Sequence, residues 1–68
     1  MPYKNLNELP ENVRSQLPLE AQRIYVAAFN CAWEQFFAIE AQQGAEKRQE
    51  MADKTAWSAV SRAGYDSA

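Results

Sequence analysis

"IYVAAFNCAWEQFF", residues 24–37, forms the apolar middle of this chain. It contains neither glycine nor proline and is apolar at nearly every position. We predict one long helix over residues 18–43, because proline suits the first turn of a helix and Gly44 can supply the left-handed conformation that commonly ends one. A helix that is apolar over most of its circumference has to be covered by other elements. The stretch is therefore predicted to form the centre of an all-α domain.

Placed at 100° per residue, this predicted helix has three faces. The broad apolar face holds Ala21, Ile24, Tyr25, Ala28, Phe29, Cys31, Ala32, Phe36 and Ile39. A second apolar stripe holds Val26, Trp33 and Phe37, and a narrow polar strip holds Arg23, Asn30 and Glu34. We therefore interpret Asn30 as marking the solvent side of the helix, and Cys31 as a small buried residue.

Two further helices are predicted to cover the central one. A short helix over residues 10–16 begins at Pro10 and has to end before Pro18, since proline disfavours helical geometry in the residue before it. A longer helix over residues 46–63 ends at Gly64 and has a stripe of small residues on one face. That stripe consists of Ala52, Ala56, Ala59, Val60 and Ala63. Small residues let two helices approach closely, so Trp33 and Trp57, each preceded by alanine, are predicted to close the edge of the core.

Length and composition indicate a single globular domain over residues 1–68. Hydrophobic residues make up 47% of the chain and charged residues 24%. The longest unbroken apolar run, residues 24–29, is far shorter than the roughly 20 residues of a membrane-spanning helix. We read no secretory signal at the start of the sequence, and the lone Cys31 cannot form an internal disulfide. These features predict a cytoplasmic protein that does not insert into membranes.

The residue inventory argues against an enzyme. The chain has no histidine, which removes Ser-His, Cys-His and histidine-metal chemistry. Paired carboxylates are the remaining route, and Glu46, Glu50 and Asp53 fall on one face at helical spacing. These three residues are candidate ligands for a weak Ca²⁺ or Mg²⁺ contact, the only cofactor considered. The alternative is a solvated face, since Lys54 lies four residues after Glu50 and should pair with it.

The charge of the chain argues against a protein dedicated to nucleic-acid binding, but it leaves weak DNA binding open. The formal net charge is −2, whereas phosphate contacts usually require a concentrated basic patch. The basic residues that could converge in the fold are Arg14, Arg23, Lys47, Arg48 and Lys54. Trp57 or Tyr65 could then stack on a base. Weak, sequence-independent DNA binding is the alternative function.

A surface for a protein partner is favoured over both the metal contact and DNA binding. Phe36 and Phe37 are adjacent and point about 100° apart on a helix, and so small a core would struggle to bury both. Phe37 is thus either the edge of the core or an exposed anchor, and Trp57 is the second candidate contact. The partner could be another protein or a second copy of this chain.

The chain resembles the ChaB family, a group of small proteins named for the regulation of cation transport. The motifs that carry this resemblance are Met1-Pro2-Tyr3, Leu9-Pro10, Leu17-Pro18, Ala21-Gln22, Ile24-Tyr25, Ala28-Phe29-Asn30, Ala32-Trp33, Ala56-Trp57 and Val60. The resemblance implies a compact domain of three to four helices, likened to a cyclin box, that could include a two-stranded sheet. It further implies association with a sodium or calcium/proton antiporter, and DNA binding in viral relatives. Our functional prediction is a non-enzymatic regulatory protein that acts on a membrane cation transporter through protein contact.

Overall fold

A computed structural model describes residues 3–65 of the chain, and these residues form an all-α domain, as predicted. The elements are a 3₁₀ turn at Leu6–Glu8, α1 at Glu11–Gln16, α2 at Leu19–Gln35, α3 at Phe37–Gln43 and α4 at Ala45–Arg62. No strand occurs between residues 3 and 65, so the small sheet that the resemblance implied is not found there. Within the same residues, no helix has the length and apolarity needed to cross a membrane.

The two proline-led helix starts are confirmed. Pro10 and Pro18 are the N-caps of α1 and α2. The carbonyl of Pro18 accepts a hydrogen bond of 3.0 Å from the amide of Gln22, which begins the helical ladder. Leu17, just before Pro18, is extended with φ −117° and ψ 137°, as the ring of the following proline favours. Local sterics therefore separate α1 from α2.

The core lies between α2 and α4 and is covered by the N-terminal part of the chain. Its buried hydrophobic residues are Leu9, Val13, Leu17, Ala21, Tyr25, Phe29, Ala32, Ala52, Ala56 and Val60. Ala52 and Ala56 have no exposed surface, so the α4 backbone approaches α2 closely while Tyr25 and Phe29 fill the space between. Trp33 and Trp57 are partly buried at the edge of this core. Tyr25 stacks near Phe29, with 6.0 Å between their ring centroids.

The buried face of α2 is narrower than predicted. Only Ala21, Tyr25, Phe29 and Ala32 are buried on that helix. Cys31 is exposed, so its interpretation as a small buried residue is wrong. The reason is that α4 covers one side of α2 and the N-terminal segment covers the adjacent side, so that Cys31 faces solvent while Ile24, Val26 and Ala28 are only partly buried.

The central helix is also interrupted, whereas we predicted a continuous helix to residue 43. Phe36 has φ −95° and ψ 22°, outside the regular α-helical range, and α3 begins at the next residue. Its amide still bonds the carbonyl of Ala32 at 2.9 Å, which closes the last turn of α2. Past the break, α3 packs against α4. No proline or glycine marks this point, so local sequence carried no signal for it.

Glycines end α3 and α4, as predicted, but by two different geometries. Gly44 joins the two helices with φ 91° and ψ 165°, a region essentially confined to glycine and distinct from the left-handed helical cap that we expected. Gly64 has φ 94° and forms a Schellman cap. In this cap Gly64 donates to Ser61 at 3.0 Å and Tyr65 donates to Val60 at 3.1 Å. The hydroxyl of Tyr65 then donates to Glu20 Oε2 at 2.8 Å, which ties the end of α4 to the start of α2.

Candidate functional site

An open groove of about 480 Å³ lies where the N-terminal segment and α1 meet α2 and α4. Its lining is aromatic and acidic. The lining residues are Tyr3, Pro10, Asn12, Val13, Tyr25, Phe29, Glu46, Gln49, Glu50, Asp53 and Trp57. Among these residues, α4 contributes three carboxylates and no lysine or arginine takes part. We call this surface the acidic aromatic groove.

A hydrogen bond between Tyr25 and Asp53 joins α2 to α4 beside the groove. The Tyr25 hydroxyl donates to Oδ1 of Asp53. Burial of Tyr25 raises the pKa of its hydroxyl above the usual value, and the bond to the Asp53 carboxylate raises that pKa further. The Tyr25 hydroxyl therefore stays protonated at neutral pH and remains a donor. Because a carboxylate offers about four acceptor positions, Asp53 can accept further donors from the groove.

Asn30 fixes the N-terminal wall of the groove, and our interpretation of Asn30 as a solvent-side marker is wrong. Its Oδ1 accepts a hydrogen bond from the Tyr3 amide and its Nδ2 donates to the Tyr3 carbonyl, both at 2.8 Å. Tyr3 packs on Phe29 with 4.8 Å between ring centroids. Burial and the nearby Asp53 charge both raise the pKa of the Tyr3 hydroxyl. Asn30, in the middle of α2, thus anchors Tyr3, which lies 27 positions earlier in the chain.

A second surface is built around Arg48, which is buried although it is charged. Its guanidinium lies 4.1 Å from the ring centroid of Trp33 and 5.3 Å from that of Phe37. Arg48 Nε donates to the Trp33 carbonyl at 2.7 Å, and Nη1 contacts Glu40 Oε1 at 3.3 Å. The last carbonyls of a helix lack intrahelical partners, so Arg48 satisfies one that the break at Phe36 leaves behind.

Phe37 sits on top of this arrangement with 71% of its surface exposed. It is the first residue of α3, directly after the break. Arg48 supports it through the cation–π contact, while most of the ring faces solvent. This exposure argues against the edge-of-core alternative, and a contact role for Phe37 stays a prediction. We call Phe37 and its supporting residues the Phe37 surface.

Comparison with known proteins decides the family. The family model described as ChaB matches residues 9–67, most of the chain. The chain belongs to the ChaB family. Relatives from Escherichia coli strain K12, Escherichia coli O157:H7 and Shigella flexneri are each 48% identical over 60 residues, covering 88% of this chain and 79% of the relative. All three carry the name "Putative cation transport regulator ChaB". No solved structure gives a significant match.

The predicted metal ligands of this ChaB-family chain lie together along one wall of the groove. Glu46, Glu50 and Asp53 all line it. Glu50 also contacts Lys54 at 3.5 Å, as predicted. Asp53 accepts a hydrogen bond from the Tyr25 hydroxyl. Within residues 3–65 no group of three His, Cys, Asp or Glu side chains is placed to hold a metal ion. A weak Ca²⁺ or Mg²⁺ contact stays a prediction that this geometry does not support.

The residues predicted to contact nucleic acid differ in their exposure to solvent. Arg14, Arg23 and Lys54 are exposed and Lys47 is partly buried. Arg48 is buried and already bonded to a backbone carbonyl and a carboxylate, so it is not available to phosphate groups. Placing Arg48 in a basic patch is therefore wrong. The reason is that a guanidinium can be buried when an aromatic ring and a carboxylate replace its water.

Sequence reasoning assigned the wrong role to two residues that shape these surfaces, Asn30 and Arg48, although the sequence does contain a signal for each. Arg48, Ala52 and Ala56 recur every fourth residue, which places the arginine on the buried face of α4. Asn30 lies in the middle of the most apolar part of α2, where an amide shielded from water requires a hydrogen-bonding partner. Neither pattern names the partner. The partners Trp33 and Tyr3 are known only from the fold.

Proposed function

We propose that this chain regulates a membrane cation transporter, a sodium or calcium/proton antiporter, from the cytoplasm and through direct protein contact. The name shared by its ChaB relatives supports the connection to cation transport. The exposed ring of Phe37 supports the mode of action, because aromatic side chains, phenylalanine among them, are enriched at protein interfaces relative to the rest of the surface. The regulation requires no catalytic step.

The support beneath Phe37 strengthens its assignment as the contact residue. An exposed phenylalanine on a flexible segment would lose side-chain freedom on binding, and that loss opposes association. Here Phe37 begins a helix, and the buried Arg48 holds one side of its ring. The ring is therefore largely in place before a partner arrives. Trp57, the other candidate contact, is partly buried and lines the acidic aromatic groove instead.

A transport assay with matched variants tests the proposal. Inside-out membrane vesicles that contain the antiporter are supplied with purified protein, and cation flux is measured with an ion-sensitive dye. Phe37→Ser should abolish the effect of the added protein on flux while its thermal unfolding midpoint stays close to that of the wild type. Leu19→Ser is the control, since Leu19 is the other large exposed hydrophobic residue among residues 3–65, with 56% exposure.

Three outcomes would contradict the proposal. The first is a flux that does not respond to the wild-type protein, and the second is full activity of Phe37→Ser. The third is a Phe37→Ser variant that loses only self-association in analytical ultracentrifugation. That result would identify a second copy of this chain, rather than a transporter, as the partner at Phe37.

A further inference from the structure

We infer that the acidic aromatic groove binds an arginine side chain presented by an extended basic segment of a protein partner. The inference concerns a surface separate from Phe37, and its test measures binding in solution without any transport assay. Either proposal can therefore fail while the other holds.

Charge complementarity is the first argument for this occupant. Glu46, Glu50 and Asp53 project from α4 into the lining of one groove, and none of the lining residues is basic. The nearby Lys54 pairs with Glu50 at 3.5 Å, but both side chains are well exposed, and such a pair contributes little and exchanges readily. The groove thus presents an excess of negative charge to any approaching segment.

Aromatic side chains lie beside the carboxylates of the groove. They make it more selective for a cationic side chain that can stack on a ring than an acidic patch alone would be. Tyr3 and Trp57 are both partly exposed and both line it. Trp57 is held edge-to-face against the buried Tyr25, with 5.5 Å between centroids and 74° between ring planes. A cation placed over an aromatic face gains attraction that a carboxylate alone does not supply. The volume of about 480 Å³ also falls within the roughly 300–1,000 Å³ of small-ligand sites.

The molecule already uses the same combination for one of its own side chains. The guanidinium of Arg48 lies 4.1 Å from the centroid of Trp33 and contacts the carboxylate of Glu40 at 3.3 Å. The groove also offers an aromatic ring and a carboxylate, since Trp57 and Asp53 both line it, and none of its lining residues is a cation. Arginine suits it better than lysine, because a planar guanidinium stacks on rings and bonds carboxylates at two points.

Binding of a short peptide tests the inference. A fluorescein-labelled peptide with two arginines separated by glycine is titrated with the full chain at physiological salt, and anisotropy is recorded. The matched control peptide carries citrulline, which keeps the shape of arginine but is neutral. We expect the arginine peptide to bind about tenfold more tightly, since the neutral group loses both the ion pair and the cation–π contact.

Charge-neutralising variants locate the site. The double variant Glu46→Gln with Glu50→Gln should weaken binding of the arginine peptide by about tenfold, and Glu46→Gln alone by about threefold. Glu34→Gln is the control, because Glu34 is exposed and lies outside the groove lining. Circular dichroism verifies that each variant keeps its helical content. In NMR spectra, the indole signal of Trp57 should shift with added peptide while that of Trp33 stays in place.

Several results would overturn the inference. Equal affinity for the arginine and citrulline peptides would show that charge is not recognised. An equal loss of affinity in Glu34→Gln and Glu46→Gln would indicate diffuse attraction to the whole protein. A shift of Trp33 without Trp57 would place the peptide elsewhere. Equal binding of a lysine peptide would reject arginine as the preferred side chain.

Discussion

Asn30 shows how one amide can hold two distant parts of this chain together. Its side chain satisfies both backbone groups of Tyr3, one as acceptor and one as donor. An alanine at this position could make neither bond. The amide and carbonyl of Tyr3 would then have to bond water or stay unpaired. The residue therefore helps to hold the N-terminal wall of the groove in place, although it lies in the middle of α2.

Asn30→Ala is expected to lower the free energy of unfolding by about 1–3 kcal/mol, from two hydrogen bonds of about 0.5–1.5 kcal/mol each. Asn30→Asp should also be destabilising, because it keeps the acceptor for the Tyr3 amide but turns an oxygen toward the Tyr3 carbonyl. Urea unfolding measures both changes. Asn7→Ala, at an exposed asparagine, is the control, and equal stability of the Asn7 and Asn30 variants would contradict this role.

Tyr25 gives the protein a predicted dependence on alkaline pH. The folded-state pKa of its hydroxyl is raised above the ordinary value of 10.0, mainly by burial and then by the bond to Asp53. In the pH range between the unfolded and folded pKa values, the unfolded state loses a proton that the folded state retains. The stabilisation is complete below about pH 10 and is lost progressively as pH rises above it.

The free energy of unfolding, measured by urea denaturation from pH 8 to pH 11, should therefore fall above pH 10. Tyr25→Phe should make this decline shallower, because the variant has no hydroxyl to ionise there. Tyr65→Phe is the comparison, since Tyr65 bonds Glu20 at the surface rather than in the interior. An unchanged slope in Tyr25→Phe would contradict the assignment of the decline to Tyr25.

At the scale of elements, α4 contacts the end of α2 at the point where the central helix is interrupted. Arg48 supplies a donor to the Trp33 carbonyl in the last turn of α2, and its guanidinium lies between the rings of Trp33 and Phe37. A helix end that lies against other elements needs such a partner. The same arginine thus stabilises the break and supports the Phe37 surface.

Arg48→Met is expected to lower the free energy of unfolding by about 1–3 kcal/mol, because it leaves the Trp33 carbonyl without its donor. Arg48→Lys should recover only part of that loss, since lysine lacks the planar fork of donors. Lys54→Met is the control, because its ion pair with Glu50 is exposed and should contribute about 0–1 kcal/mol. Thermal and urea unfolding provide the measurement. Equal effects of Arg48→Met and Lys54→Met would show that Arg48 is not structural.

At the scale of the whole molecule, charge and its placement oppose strong DNA binding. The net charge is −2, one of the basic residues proposed for phosphate contact is buried, and the groove exposes carboxylates. A protein that neutralises few phosphates shows a weak dependence of affinity on salt.

We expect duplex DNA to bind weakly and without sequence preference, with a shallow slope of log affinity against log salt concentration. Electrophoretic mobility shifts at several salt concentrations measure the slope. Arg48→Met should leave the residual binding unchanged, whereas Arg23→Met, at an exposed site, should reduce it. Tight binding with a strong preference for one sequence at physiological salt would reverse the ranking of the two functions.

The helical class and most helix boundaries follow from local features of the sequence. Pro10, Pro18, Gly44 and Gly64 act through the backbone geometry of their own and adjacent residues, so their effects can be predicted locally. The alanine spacing that includes Ala52 and Ala56 likewise predicted the face on which α4 packs. Family membership was also indicated by short motifs spread along the chain, and the comparison with known proteins confirmed it.

The break at Phe36, the burial of Arg48, the anchoring role of Asn30 and the assembly of the open groove follow only from the tertiary structure. Each depends on atoms distant in sequence: Asn30 bonds a residue 27 positions away, and Arg48 bonds one 15 positions away. A periodic pattern shows which face of a helix is apolar but not which polar atom it will meet. Whether an amide or a guanidinium is buried is determined by the availability of a hydrogen-bonding partner in the folded chain.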